Sequence, residues 1–162
     1  MTITEEHIWQ ILKEVQDPEV PVLNILDLGI VREVILDGDH IEVVATPTYS
    51  GCPATSMINM SIKLKLIEKG FKNVKVTNRL SPAWTTEWMT DEAKAKLKAY
   101  GIAPPVYSKS NHNDLFAESD AIECPQCGST HTHLVSQFGS TACKALYQCD
   151  ACQEPFDYFK CH

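Results

Sequence analysis

Apolar positions recur with two periods along the first hundred residues, and each change of period marks an element. Ile8, Ile11, Leu12 and Val15 form one stripe at helical spacing. Thr2 or Thr4 can cap this helix, and Thr2 with Glu5 fits a capping box. Asp17-Pro18 ends it, because the residue before a proline is pushed out of helical dihedrals. A proline-rich, acidic stretch follows. There the default for Asp17 and Glu19 is a solvated loop, with an acidic pocket wall as the alternative. Leu26 to Gly29 reads as a turn, Ile30 to Leu36 as a strand, Asp37-Gly38 as a hairpin and Ile41 to Thr46 as the returning strand. Met57, Met60 or Ser61, Leu64, Ile67 and Phe71 return to helical spacing, and the helix ends near Lys69-Gly70. Val74 and Val76 alternate with Lys75 and Thr77 in a third strand, and the intervening helix allows a right-handed parallel crossover. Trp84 and Trp88 lie in a proline-punctuated loop, where they either cap the core or form a contact surface; core capping is the expectation. Thr90 caps a last helix, with Ala93, Leu97 and Tyr100 facing inward and Gly101 closing it.

From Ile102 to Ala121 the periodicity disappears. Pro104-Pro105 and the polar run Ser108 to Asp114 make this a linker, or an arm packed on the first domain. The last forty residues form a different unit. Cys124-Pro125-Gln126-Cys127 and Cys149-Asp150-Ala151-Cys152 are two C-x-x-C knuckles separated by 149 − 127 − 1 = 21 residues, close to four-cysteine zinc spacing. His133 to Phe138, Lys144 to Gln148 and Phe156 to Phe159 can supply short strands. That is the pattern of a zinc ribbon, too small to fold on an apolar core alone and stabilised by its metal. An iron–sulfur cluster also takes four thiolates; the spacing and the small sheet favour zinc. The expected architecture is α+β. A small α/β domain (helix–hairpin–helix–strand–helix) covers residues 1–101, a connector 102–121, and a four-cysteine ribbon 122–162.

Composition narrows the chemistry. Apolar residues make up 44 % of the 162 positions, enough for a core. A net charge of −7 argues against a non-specific grip on nucleic acid or anionic lipid. No apolar run approaches the ~20 residues that span a bilayer. The acidic start, Met1 to His7, lacks the regions of a signal peptide, so a cytoplasmic location is expected. Six of the seven cysteines fall between Cys124 and Cys161, which points to metal rather than disulfides. The seventh, Cys52, sits where a strand turns into a helix, followed by Pro53 at a first helical position. Unpaired N–H groups and the helix dipole there favour thiolate, which suits metal binding or attack on an electrophile. The plain alternative is a small side chain filling a corner. Cys143 and Cys161 are either small residues of no special role or a second, labile thiol site; His131 and His133 read as exposed polar residues.

Asp17-Pro18-Glu19, Asp27-Leu28-Gly29-Ile30-Val31 and Thr48-Tyr49-Ser50-Gly51-Cys52-Pro53 resemble the motifs of the small α/β family of iron–sulfur assembly and targeting factors, over residues 1 to about 101. Tyr49 stands where many relatives carry a second threonine. Trp84 to Met89, the two knuckles, Phe138 to Lys144 and Glu154 to Cys161 extend the likeness to the whole chain. Over that span it resembles the D-component family of bacterial phenylacetyl-CoA epoxidase systems. The resemblance implies an accessory factor of phenylacetate catabolism rather than a catalytic subunit. Cys52 would transiently hold iron or an iron–sulfur cluster, Asp17 and Glu19 would line the site, and Thr48 would hydrogen-bond its ligands. Epoxidase subunits would be the clients, and a homodimer could supply a second thiolate. The alternative is a stoichiometric structural or electron-transfer subunit of the epoxidase. A thiol enzyme using Cys52 is less favoured, since no histidine lies near it in sequence.

Overall fold

The computed structural model describes residues 2–48, 54–105, 122–139, 141 and 144–159. The chain divides into two compact units, Met1–Ala93 and Lys94–Cys161.

In the first unit, helix α1 (Glu5–Leu12) is capped by Thr4, whose hydroxyl accepts the N–H of His7. Of the two threonines considered, only Thr4 is therefore the cap. Ile8, Ile11, Leu12 and Val15 are buried as the stripe requires. Strands β1 (Val31–Asp37) and β2 (His40–Ala45) form the antiparallel hairpin around Gly38, whose φ of 62° suits a glycine. Helix α2 (Thr55–Glu68) connects β2 to β3 (Asn73–Asn78), which pairs parallel to β2 in the order β1-β2-β3.

Helix α2 is apolar on two faces. Ile58, Ile62 and Leu66 are buried, whereas Met57, Met60, Leu64 and Ile67 point outward. The stripe that marks the helix in the sequence is thus its exposed one. Helical spacing reveals a face but not which way it looks.

Trp84 is buried, and its indole N–H donates to the Leu28 carbonyl at 2.7 Å, so it caps the core as expected. Trp88 is half-buried in a 3-10 turn (Thr86–Trp88), with the Arg32 guanidinium 3.8 Å from its ring centre. Gly29 (φ 69°) locks this loop to the strand entry: a β-carbon there would overlap the Trp88 carbonyl oxygen.

Helix α3 (Asp91–Tyr100) is capped by the Thr90 hydroxyl, which accepts the Ala93 N–H. Ala93 and Leu97 are buried, but Tyr100 is 61 % exposed, against expectation. One turn beyond Leu97 the helix stops, and Gly101 (φ 91°) turns the chain away, leaving the phenol in water.

The second unit is a four-stranded sheet of order β4-β7-β6-β5, comprising β4 (Ile102–Ala103), β5 (Thr132–Ser136), β6 (Lys144–Cys149) and β7 (Pro155–Phe159). β5, β6 and β7 run antiparallel, and β4 adds parallel to β7. Ile102 and Ala103, read in the sequence as the start of the connector, therefore belong to the ribbon's sheet. Periodicity cannot detect a two-residue edge strand. The core of the unit is Ala103, Ile122, Cys124, Cys149 and Phe156, flanked by Tyr147, Cys152 and Tyr158.

Candidate functional site

Each C-x-x-C sits in a turn, and the two turns repeat one pattern. Gly128 and Gln153, each four residues after the first cysteine, donate their N–H to the carbonyls of Cys124 (2.9 Å) and Cys149 (3.0 Å). Cys124 and Cys149 in turn donate to the carbonyls of Ser129 (2.9 Å) and Glu154 (3.1 Å). Both closures need a left-handed residue: Gly128 (φ 76°) supplies one, and Gln153 (φ 65°) the other. The Gln153 side chain is tied to the Asp150 carbonyl at 2.7 Å. These loops converge all four sulfurs to within 4.8 Å of one another. Cys124–Cys152 measures 3.8 Å and Cys127–Cys149 3.5 Å. A tetrahedron with Zn–S bonds of about 2.3 Å has edges of about 3.8 Å, so the donor set fits one four-coordinate ion held by Cys124, Cys127, Cys149 and Cys152. Cys124 and Cys149 are buried and Cys127 is exposed, so one edge of the cluster faces solvent.

The thiols are electrostatically unlike. Backbone N–H groups of Cys152 and Ala151, with the neighbouring thiols, bring Cys149 down to about 7. Cys152 accepts the Glu154 N–H, which lowers it, but desolvation and the crowding of the other three sulfurs push it up to about 12. Without a cation the cluster thus keeps protons that a metal must displace. Outside the sulfurs, His133 Nδ1 meets Asp150 Oδ1 at 2.8 Å, and Thr132 donates to the Ile122 carbonyl at 2.6 Å.

In the first unit, the sequence singles out Asp17, Glu19, Thr48 and Cys52. Asp17 is buried, with Oδ1 accepting the N–H groups of Glu19 and Val20, each at 2.8 Å. The solvated-loop expectation therefore fails for Asp17: its carboxylate organises the Pro18-Glu19 turn. Glu19 and Thr48 are half-buried. Cys52 lies outside the described residues, as do Cys143, Cys161 and the stretch 106–121.

Two residues that the motif reading left unassigned stand out. Asp27 is buried and accepts the Asn24 N–H at 3.1 Å. Thr46, whose backbone N–H extends the β1–β2 ladder by donating to the Ile30 carbonyl, is 1 % exposed, and its hydroxyl has no hydrogen-bond partner among the described residues. The available signal for Thr46 was a hydroxyl closing an otherwise apolar strand.

Residues 5–78 match the family described as iron–sulfur cluster assembly protein, and residues 108–160 match the PaaD zinc β-ribbon domain. The chain is 53 % identical over 95 % of its length, and 91 % of the relative's, to an Escherichia coli (strain K12) protein named as the putative D subunit of 1,2-phenylacetyl-CoA epoxidase. The chain belongs to the PaaD family. A Porphyromonas gingivalis "Fe-S protein maturation auxiliary factor" is 38 % identical over 58 % of the chain and 90 % of that protein. Among solved structures, a domain of unknown function from Bacillus anthracis matches with a TM-score of 0.54 and 29 % identity, over 57 % of this chain and 90 % of that one. A conserved hypothetical protein from Thermotoga maritima matches with a TM-score of 0.51 and 31 % identity, over 60 % and 98 %. This PaaD-family chain is thus an assembly-factor α/β domain joined to a four-cysteine zinc-ribbon domain. Among the described residues no helix is long and apolar enough to cross a membrane.

Proposed function

We propose that this chain is an accessory factor that helps assemble the iron or iron–sulfur cofactor of a phenylacetyl-CoA epoxidase. One observation carries the reading: the four-cysteine cluster in residues 122–162 is saturated. A complete tetrahedral set holds its ion in place and suits a structural zinc, not a cargo that must leave. The assembly-family half retains one cysteine, Cys52, seven residues after β2 and three before α2. A single thiolate supplemented by carboxylates leaves coordination positions open to a receiving protein. In this reading Cys52 holds the cargo, Asp17 and Glu19 line its site, and Thr48 hydrogen-bonds a ligand. The Asp17 turn supports that assignment, because a buried carboxylate fixed by two N–H donors offers a rigid wall. The ribbon metal would be zinc, held by Cys124, Cys127, Cys149 and Cys152, and the factor would act in the cytoplasm.

The test is Cys52→Ser in cells that make the epoxidase. The variant is expected to fold, keep its zinc, and yield epoxidase with low iron or cluster occupancy. Fully loaded, active epoxidase from those cells would overturn the reading.

A second reading, a stoichiometric structural or electron-transfer component, is favoured by the name of the Escherichia coli relative, which calls that protein part of the epoxidase itself. Co-purification with the oxygenase at fixed ratio, and iron rather than zinc in the four-cysteine site, would establish it instead.

A further inference from the structure

Helix α2 buries Ile58, Ile62 and Leu66, yet its opposite side is also apolar. Met57 is 60 % exposed, Met60 64 %, Leu64 57 % and Ile67 44 %. Spaced at i, i+3, i+7 and i+10, they form one continuous stripe about 15 Å long. Exposed apolar side chains scattered singly are ordinary, but four in register on one helix are a surface. Two are methionines, whose unbranched thioethers adapt to differently shaped partners.

The charges beside the stripe are asymmetric. On one flank Lys65 is neutralised by Glu68 and Glu14, at N–O separations of 3.1 and 3.5 Å. On the other, Lys63 lies three residues from Met60 and four from Ile67, is exposed, and has no ion-pair partner among the described residues. In a chain of net charge −7, an apolar stripe edged by an unspent cation complements an apolar surface edged by a carboxylate.

A second copy of this chain fits less well. An antiparallel two-fold pairing of α2 brings both Lys63 ammonium groups to the same flank, where like charges repel.

We propose that the outward face of α2, formed by Met57, Met60, Leu64 and Ile67 with Lys63 at its edge, is the docking surface for a partner protein presenting an apolar, carboxylate-edged patch. Resting on the assembly-factor reading, that partner is a component of the epoxidase.

The test titrates the zinc-loaded full chain against the purified oxygenase and reductase components. Wild type is expected to bind one of them. Met60→Lys/Leu64→Lys should weaken binding at least tenfold. Lys63→Glu should weaken it several-fold and flatten its salt dependence. Val135→Lys, on the exposed face of the other unit, should change nothing. Urea midpoints and zinc content show that the variants fold. Wild-type affinity in the double variant, or no binding of either component by wild type, overturns the proposal. So does a wild-type dimer that the double variant abolishes, since a second copy would then be the occupant. Cys52→Ser separates the two ideas, because it should bind as wild type does. If it also loads the epoxidase normally while Met60→Lys/Leu64→Lys fails to bind, delivery through Cys52 falls and the docking face stands.

Discussion

Thr46 shows how much one atom can weigh. Its hydroxyl is buried just after β2 without a partner among the described residues, and an unsatisfied buried polar group costs about 1–3 kcal/mol. Thr46→Val keeps the shape and removes the orphan, so it should raise the unfolding free energy of the first unit by about 1 kcal/mol, read from urea denaturation. A loss of stability would mean that the hydroxyl is engaged after all. Asp17 is the converse case: two N–H donors meet one buried oxygen. Asp17 stood out in the chain and Thr46 did not, and the burial of neither could be read there. An acid beside a proline is as common in a wet turn as in a dry one, and only the fold decides.

At the level of elements, legibility followed chemistry rather than length. The hairpin was plain because Asp37-Gly38 demands a particular turn, and the ribbon because four thiols at that spacing have few other uses. α2 was equally plain as a helix, but not in its orientation, because both its faces are apolar. The parallel pairing of β4 with β7 left no trace in the pattern. The knuckles also set a pH dependence. With Cys152 at about 12 and Cys149 at about 7 in the metal-free cluster, at least one proton remains to be displaced near neutrality. Proton displacement weakens metal binding as pH falls. Competition with a chromophoric chelator should therefore show zinc affinity dropping about tenfold per proton released for each unit between pH 8 and pH 7. A flat profile would mean that the thiols are already ionised before the metal arrives.

For the whole molecule, the two units draw stability from different sources: an apolar core around a three-stranded sheet, and four sulfurs closing a small one. Chelation should therefore act on one unit alone. Urea unfolding followed by circular dichroism is expected to show two transitions, of which EDTA shifts only that of Lys94–Cys161. A single transition that moves as a whole under EDTA would mean that the halves fold as one cooperative body.

Ile102 and Ala103 sit in the same sheet as β7, and Ala103 and Ile122 share one cluster. The described residues nearest to the polar stretch 106–121 on either side therefore belong to one unit. The covalent spacing between the assembly domain and the ribbon is then set by the chain before Ile102, and the number of residues from 106 to 121 does not enter it. Insertions or deletions there change the ribbon's own loop length and leave that spacing as it is.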